Sequence, residues 1–323
     1  MNRRDFLTAL SLLGLPVLAS GCRHPVAPMR IACHVWPGYE FLFLAQREGW
    51  IAPADTVLVE TGAATESLQA LATAQVDGAA LTLDEVLRAR DQGLPLRVVL
   101  VFDVSVGADA LLAKPGIDSL AQLKGRRIGY EQSALGALML YKVLEAAELR
   151  PGDVKPVPVT FDRHLEIWIT GGVDALITFE PAVGQLLERD GHRLFDSSRI
   201  PDTIFDVLAV MPKVVSDHPD ALRRVVAAHF RGLDRFRRNP NDVAYHLADR
   251  FNQKPQEVLA SFKGLELPNQ SRNRKLLVGT DGILAGKARE LATIMTQAGI
   301  RGSTPLDLSN LTDAAFISDE DVR

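Results

Sequence analysis

Between residues 30 and 211, short apolar runs of strand length alternate with stretches whose apolar residues recur at helical spacing. The runs fall at 30–36, 56–60, 78–82, 97–103, 109–114, 126–130, 155–160, 174–178 and 206–211, and each predicts a strand. Between them, residues such as 67–72 and 137–144 carry helix-compatible apolar spacing. Strand and helix in alternation predict a parallel sheet covered by helices, that is, an α/β fold. Beyond Met211 the pattern becomes helical, with helices expected at 220–236, 241–251, 255–262 and 281–298, Asn239-Pro240 as a break and Gly299 as a stop. The polar segment 303–323 is expected to lie on the surface or fray.

A short internal echo bears on the organisation. Val76-Asp77-Gly78-Ala79-Ala80-Leu81-Thr82 and Val173-Asp174-Ala175-Leu176-Ile177-Thr178 each enter a strand that ends on threonine and leads into a helix. Two lobes of similar construction would produce it; so would chance reuse of residue types at helix-turn-strand junctions.

The N-terminus reads differently. Arg3 and Arg4 precede an apolar run from Phe6 to Leu18, too short to span a bilayer, which takes roughly 20 apolar residues. Leu18-Ala19-Ser20-Gly21-Cys22 then places small residues before a cysteine. The arginine pair resembles the bacterial twin-arginine export signal, and the small-residue box resembles a lipoprotein-processing site, so residues 1–21 are expected to be a signal peptide and Cys22 the lipidated first residue. The protein is then expected in the periplasm or at the cell surface, tethered to membrane by its lipid.

Charge adds an exclusion. The 323 residues carry 36 Lys and Arg against 40 Asp and Glu, a net charge of -4 with the basic residues scattered, which gives no reason to expect nucleic acid as partner. There are two cysteines; with Cys22 acylated, Cys33 has no intramolecular partner. In a strand its neighbour His34 points to the opposite face, so the pair converges poorly on a metal, and Cys33 reads as a small buried hydrophobe. No metal ligand set and no cofactor are expected.

In open α/β sheets ligands bind beyond the carboxyl ends of the strands. That rule selects 36–40, 81–84, 102–109, 130–136 and 178–181, most of them joining strand to helix. These segments hold Glu40, Asp84, Asp103, Asp109, Glu131 and Glu180, with Asp206 starting a returning strand, and no Lys or Arg. A bare anion would be repelled, whereas a solute with a positive or hydrogen-donating end fits, with Glu180 and Asp206 its expected partners. Helix N-termini near Gly38 and Ser133 could take an acidic or carbonyl end. Trp36 and Tyr39 could edge a ligand ring or belong to the core, Ser105 and Gly107 form a small-residue bend, and His164 reads as a surface or capping residue.

Trp36-Pro37-Gly38-Tyr39 with Ala45 and Gly49-Trp50, then Ser105 to Asp109, Leu120 to Gly129, Val173-Asp174-Ala175, Phe179-Glu180-Pro181 and Asp206-Val207-Leu208, in this order and spacing, resemble the solute-binding proteins of nitrate-, sulfonate- and taurine-type ABC importers, a group related to the thiamine-pyrimidine synthases. The resemblance implies a type II periplasmic-binding-protein fold, two α/β lobes joined by two hinge crossings near 109–113 and 206–211. It implies a first lobe at 29–110, a second at 111–211, and a helical return at 212–323 packed on the first. Ligand positions carried over are Trp36, Gly38, Tyr39, Thr82, Ser105, Glu131, Ser133, Thr178, Glu180 and Asp206. The implied function is a non-catalytic, monomeric receptor that delivers a small solute to a permease and its ATPase. The alternatives are a sensory receptor, or an enzyme of pyrimidine-synthase type, for which the metal-binding cysteine cluster is missing.

Overall fold

The computed structural model describes residues 27–279 and 282–318; the leader and Cys22 lie outside them. Eleven strands are described: β1 (Met29–Cys33), β2 (Thr56–Glu60), β3 (Gly78–Thr82), β4 (Arg97–Ser105), β5 (Ala110–Ala113), β6 (Arg127–Tyr130), β7 (Lys155–Pro158), β8 (Ala175–Thr178), β9 (His192–Asp196), β10 (Phe205–Val210) and β11 (Leu265–Glu266). The helices of the lobes are α1 (Glu40–Arg47), α2 (Ala64–Ala72), α3 (Leu83–Asp91), α4 (Ala134–Ala146), α5 (His164–Ile169) and α6 (Ala182–Leu187). After β10 come α7 (Pro212–Asp217), α8 (Pro219–Arg238), α9 (Pro240–Phe251), α10 (Pro255–Ser261), α11 (Gln270–Leu277) and α12 (Ile283–Gln297).

The strands make two sheets, a six-stranded one in the order β11-β4-β10-β3-β1-β2 and a five-stranded one in the order β7-β6-β8-β5-β9. In each, three parallel strands are followed by a strand running the other way, β10 beside β3 in the first and β5 beside β8 in the second. The sequence echo falls on β3 and β8, which hold the same place in the two sheets. A second pair of residues repeats with it. Arg30 donates its backbone N–H and guanidinium to Asp77, and Arg127 does the same to Asp174, so that in both lobes one ion pair ties the first parallel strand to the turn before the third.

The chain crosses between sheets at 106–109, from β4 to β5, and at 197–204, from β9 to β10. These crossings lie ahead of the positions expected from the sequence. Ala110–Ala113 is entirely within the second sheet, and Phe205–Val210 is hydrogen-bonded between β3 and β4 in the first, so the second lobe ends before residue 205 and not at 211. The apolar pattern of a short strand marks its existence but not which sheet receives it.

The helices after β10 share one hydrophobic core with the first lobe: Val225, Phe230 and Leu233 of α8, Val243 and Leu247 of α9, and Leu284 and Met295 of α12 join Phe41, Leu44 and Val86. Asn273 of α11 hydrogen-bonds both ways to the backbone of Val101 in β4. The second lobe has two smaller cores, one on each face of its sheet, around Met139 and around Trp168. The larger lobe is thereby the better anchored of the two.

Candidate functional site

Between the lobes the carboxyl ends of the parallel strands face one another, as the topological rule requires. They enclose a cavity of about 30 Å3, lined among others by His34, Trp36, Thr82, Glu85, Asp109, Glu131, Ser133, His164, Thr178, Phe179 and Asp206. That is room for a water molecule or two, so a larger occupant requires the lobes to part at the two crossings.

The first lobe contributes carboxyl groups. Asp206 starts β10 and sits directly opposite Asp103 of β4 on one side and Thr82 of β3 on the other, with a register shift just after it. Such a bulge aims a side chain away from the regular pleat. Tyr39 donates its hydroxyl to Asp206 Oδ1, and Trp36 donates its indole N–H to Asp103 Oδ2 at 2.9 Å. Asp206 Oδ2, Asp103 Oδ1, Asp109 Oδ2 and Glu85 Oε1 are buried with no hydrogen-bond partner. Like charges on directly opposed strand positions repel. With burial the leading cause, Asp206 is held well above the usual carboxylate range, with the charges of Asp103 and Asp109 adding to the rise. Burial likewise raises Asp103, Glu85 and, to about 7, Asp109. The only basic groups on the cavity wall are imidazoles, and burial lowers both His34 and His164 to about 4, so they are neutral. Nothing on the wall therefore supplies a positive charge to these acids.

The second lobe contributes one carboxyl, that of Glu131, with hydroxyl, imidazole and apolar groups. Ser133 caps α4, accepting from the N–H of Gly136. Glu131 reaches across the cleft, where its Oε1 accepts from the backbone N–H and hydroxyl of Thr65 at 2.9 and 2.6 Å. Thr178 Oγ1 meets His164 Nδ1 at 2.9 Å. Phe179 stacks on Phe161 with ring centres 4.0 Å apart and turns its edge toward Trp36 across the cleft.

Of the positions expected from sequence, Trp36, Thr82, Glu131, Ser133, Thr178 and Asp206 line the cavity, and Gly38, Tyr39, Ser105 and Glu180 do not. Tyr39 stands behind Asp206. Gly38 makes room for Asp103: a Cβ there would fall 1.8 Å from Asp103 Oδ2. Ser105 bonds Ser197 Oγ at 2.7 Å, linking the two crossings. Glu180 turns to its own helix, accepting from the N–H of Gly184 at 3.0 Å, so it is not placed to meet a solute beside Asp206. His34 and Glu85 join the wall unforeseen, Phe179 joins it from the selected segment 178–181, and His164, expected as a surface or capping residue, is buried there. Glu85 Oε2 accepts from the Thr82 N–H, closing a capping box at the start of α3, while its Oε1 is buried without a partner. Among the described residues no group of three or more His, Cys, Asp or Glu is arranged to hold a metal ion. Cys33 is buried in β1, its thiol pushed up to about 12 by burial.

Two α/β lobes, two crossings and a cleft between strand ends define a periplasmic-binding-protein fold. The chain belongs to the NMT1/THI5-like family, whose model matches residues 36–243. A putative binding protein of Brucella abortus is 27% identical over 242 residues, 70% of this chain and 72% of the relative. The taurine-binding periplasmic protein of Escherichia coli is 25% identical over 177 residues, 54% of this chain and 55% of the relative. Among solved structures, the alkanesulfonate-binding protein of Xanthomonas axonopodis bound to MOPS superimposes with a TM-score of 0.74 at 18% identity, over 87% of this chain and 96% of that one. The ligand-binding component of an ABC-type import system from Staphylococcus aureus, with zinc bound, gives 0.73 at 14%, over 90% and 98%. A desulfurization enzyme in complex with biphenyl-2-sulfinic acid gives 0.64 at 17%, over 89% and 97%, so the fold by itself is compatible with binding and with catalysis.

Proposed function

We propose that the protein is the solute-binding component of an ABC-type importer, that it works in the periplasm, and that its solute is a small organic molecule carrying an amine or a protonated heterocyclic nitrogen. The observation that carries the solute class is the set of unpartnered carboxyl oxygens on Asp206, Asp109 and Glu85 around a cavity that no Lys or Arg lines. A buried carboxyl without a counter-charge stays protonated, and an arriving cation supplies the missing charge. A sulfonate alone, the ligand type named for several relatives, would bring negative charge to these acids. Trp36 and Phe179 provide apolar faces for the body of the solute.

A receptor role is supported over catalysis by the chemistry of the wall. The imidazoles of His34 and His164 are too weakly basic to hold a proton at neutral pH, and the thiol of Cys33 lies off the wall, buried in β1 and held neutral. The twin-arginine leader and its small-residue box support export and anchoring through an acyl group on Cys22. Intact mass and detergent partitioning should show acyl mass on the wild type and none on Cys22→Ser; equal solubility without acyl mass on either rejects the anchor. The solute class is tested by mass spectrometry of small molecules released from protein purified without denaturation. A nitrogen base is expected, and a purely anionic solute rejects the class.

A further inference from the structure

The carboxyl that the second lobe brings to the cavity, Glu131, is bonded to Thr65, and the lobe's other polar groups are not neutral in what they select. His164 Nε2 lies 3.3 Å from the carbonyl oxygen of Val159, and a carbonyl only accepts, so Nε2 must carry the hydrogen. The neutral ring then presents Nδ1 as an acceptor, and Thr178, 2.9 Å away, must donate its hydroxyl hydrogen to it. Phe161 packs edge-on against the imidazole, ring centres 5.5 Å apart, and the ring is 1% exposed, so it has little freedom to turn. The Thr178 hydroxyl makes no other hydrogen bond among the described residues, and Thr178 lines the cavity, so its oxygen keeps lone pairs free to accept.

We infer that His164 is a positioning residue that turns the second lobe into a reader of hydrogen-bond donors: it keeps the Thr178 hydrogen out of the cavity, so Thr178 Oγ1 accepts from a second N–H or O–H of the solute, remote from the nitrogen that meets Asp206. This rests on the amine reading of the first lobe and extends it. Both walls then offer acceptors, and the preferred solute carries donors at two separated points along a flat or apolar body.

Two measurements test it. In 15N-labelled wild type without any additive, the His164 ring should show the neutral Nε2–H pattern; an Nδ1–H ring overturns the inference without any ligand being needed. In calorimetry, 4-aminobenzylamine should bind wild type about fivefold to tenfold more tightly than 4-methylbenzylamine, the worth of one net hydrogen bond. His164→Gln, whose amide can both donate to Val159 and accept from Thr178, should keep that ratio. His164→Leu should bring it near one, because the Thr178 hydrogen is then free to turn inward; a merely structural role would weaken both compounds alike and leave the ratio unchanged. Binding of both amines to wild type without preference, or a ratio retained in His164→Leu, overturns the inference alone. Binding of neither amine overturns the amine reading and this inference with it.

Discussion

The two lobes are built on one plan and furnished with opposite chemistry. Each has parallel strands flanked by a reversed strand, each ties its first strand to the turn before its third through an Arg-Asp pair, and each ends that third strand on threonine at the cleft. Yet Thr82 is followed by Asp84 and Glu85 and neighboured by Asp206, whereas Thr178 is followed by Phe179 and bonded to His164. The scaffold repeats where it holds the lobe together and diverges where it meets the solute. Because the antiparallel strand beside the third is β10 in one lobe and β5 in the other, Thr82 is paired with Asp206 in the first and Thr178 with Ala110 in the second, with Asp109 on the crossing just before it. On the proposed reading, charge selectivity would come mainly from one side of the cleft, and shape and donor selectivity from the other.

The largest effect should separate the lobes directly. Asp206→Asn removes the carboxyl that the first lobe aims at the cavity, and loss of a buried charge partner costs roughly 3 to 5 kcal/mol, so benzylamine affinity by calorimetry should fall more than a hundredfold. Thr178→Val on the other wall should lower affinity for 4-aminobenzylamine only about fivefold to tenfold. Comparable losses at both positions would erase the division of labour.

A dependence on pH comes next and belongs to the carboxyl cluster of Asp103, Asp109 and Asp206. Asp109 is raised from the ordinary carboxylate range to about 7 and Asp103 and Asp206 are raised with it, while in the unfolded chain all three titrate near 4. The folded protein therefore holds protons that the unfolded chain has released, and its stability should be fully present below about pH 4 as far as these groups are concerned and lost progressively as pH rises through about 7. A cation favours the ionised forms, so benzylamine binding should release protons and weaken as pH falls below about 7. Calorimetry in buffers of different ionisation enthalpy, with thermal melts across that range, reads both; zero proton release with pH-independent affinity contradicts the assignment of protonated acids.

A smaller effect concerns how that wall is held. Gly38→Ala forces a methyl against the Asp103 carboxyl and should cost about 1–3 kcal/mol in denaturant unfolding, with the Trp36 indole N–H released from its bond. An unchanged midpoint would mean that Asp103 is free to move. The smallest effect should be equal in the two lobes: Asp77→Ala and Asp174→Ala each remove a partly exposed ion pair and one backbone bond, and should lower the thermal midpoint slightly and alike. Unequal shifts would break the structural equivalence of the lobes.

The scaffold was more legible in the chain than the site. Apolar runs marked nine of the eleven described strands, but β9, His192–Asp196, has a half-exposed, charged sequence, and β11 is two residues long. The polar helix α11 was missed because its buried side chains, Gln270, Asn273, Leu276 and Leu277, put apolar residues only in its last turn. The strand-end rule selected the segments that hold Trp36, Thr82, Glu131, Ser133 and Thr178, which line the cavity together with Asp206 of the returning strand. It could not rank Glu180 below Asp206, because the difference is which way a carboxyl turns, and Glu180 has a helix N–H within reach. Nor could it reveal His164, whose burial depends on Phe161 and on Val159 rather than on its neighbours' polarity.

The account stands or falls on the sign of the charge that the cleft accepts, and a matched pair reads it: benzylamine and phenylmethanesulfonate, one ring with opposite charges, titrated into the same protein at neutral pH by calorimetry. Benzylamine should bind with release of protons and the sulfonate should give no measurable heat of binding. Tight binding of the sulfonate, with benzylamine silent and Asp206→Asn indifferent to both, would contradict it.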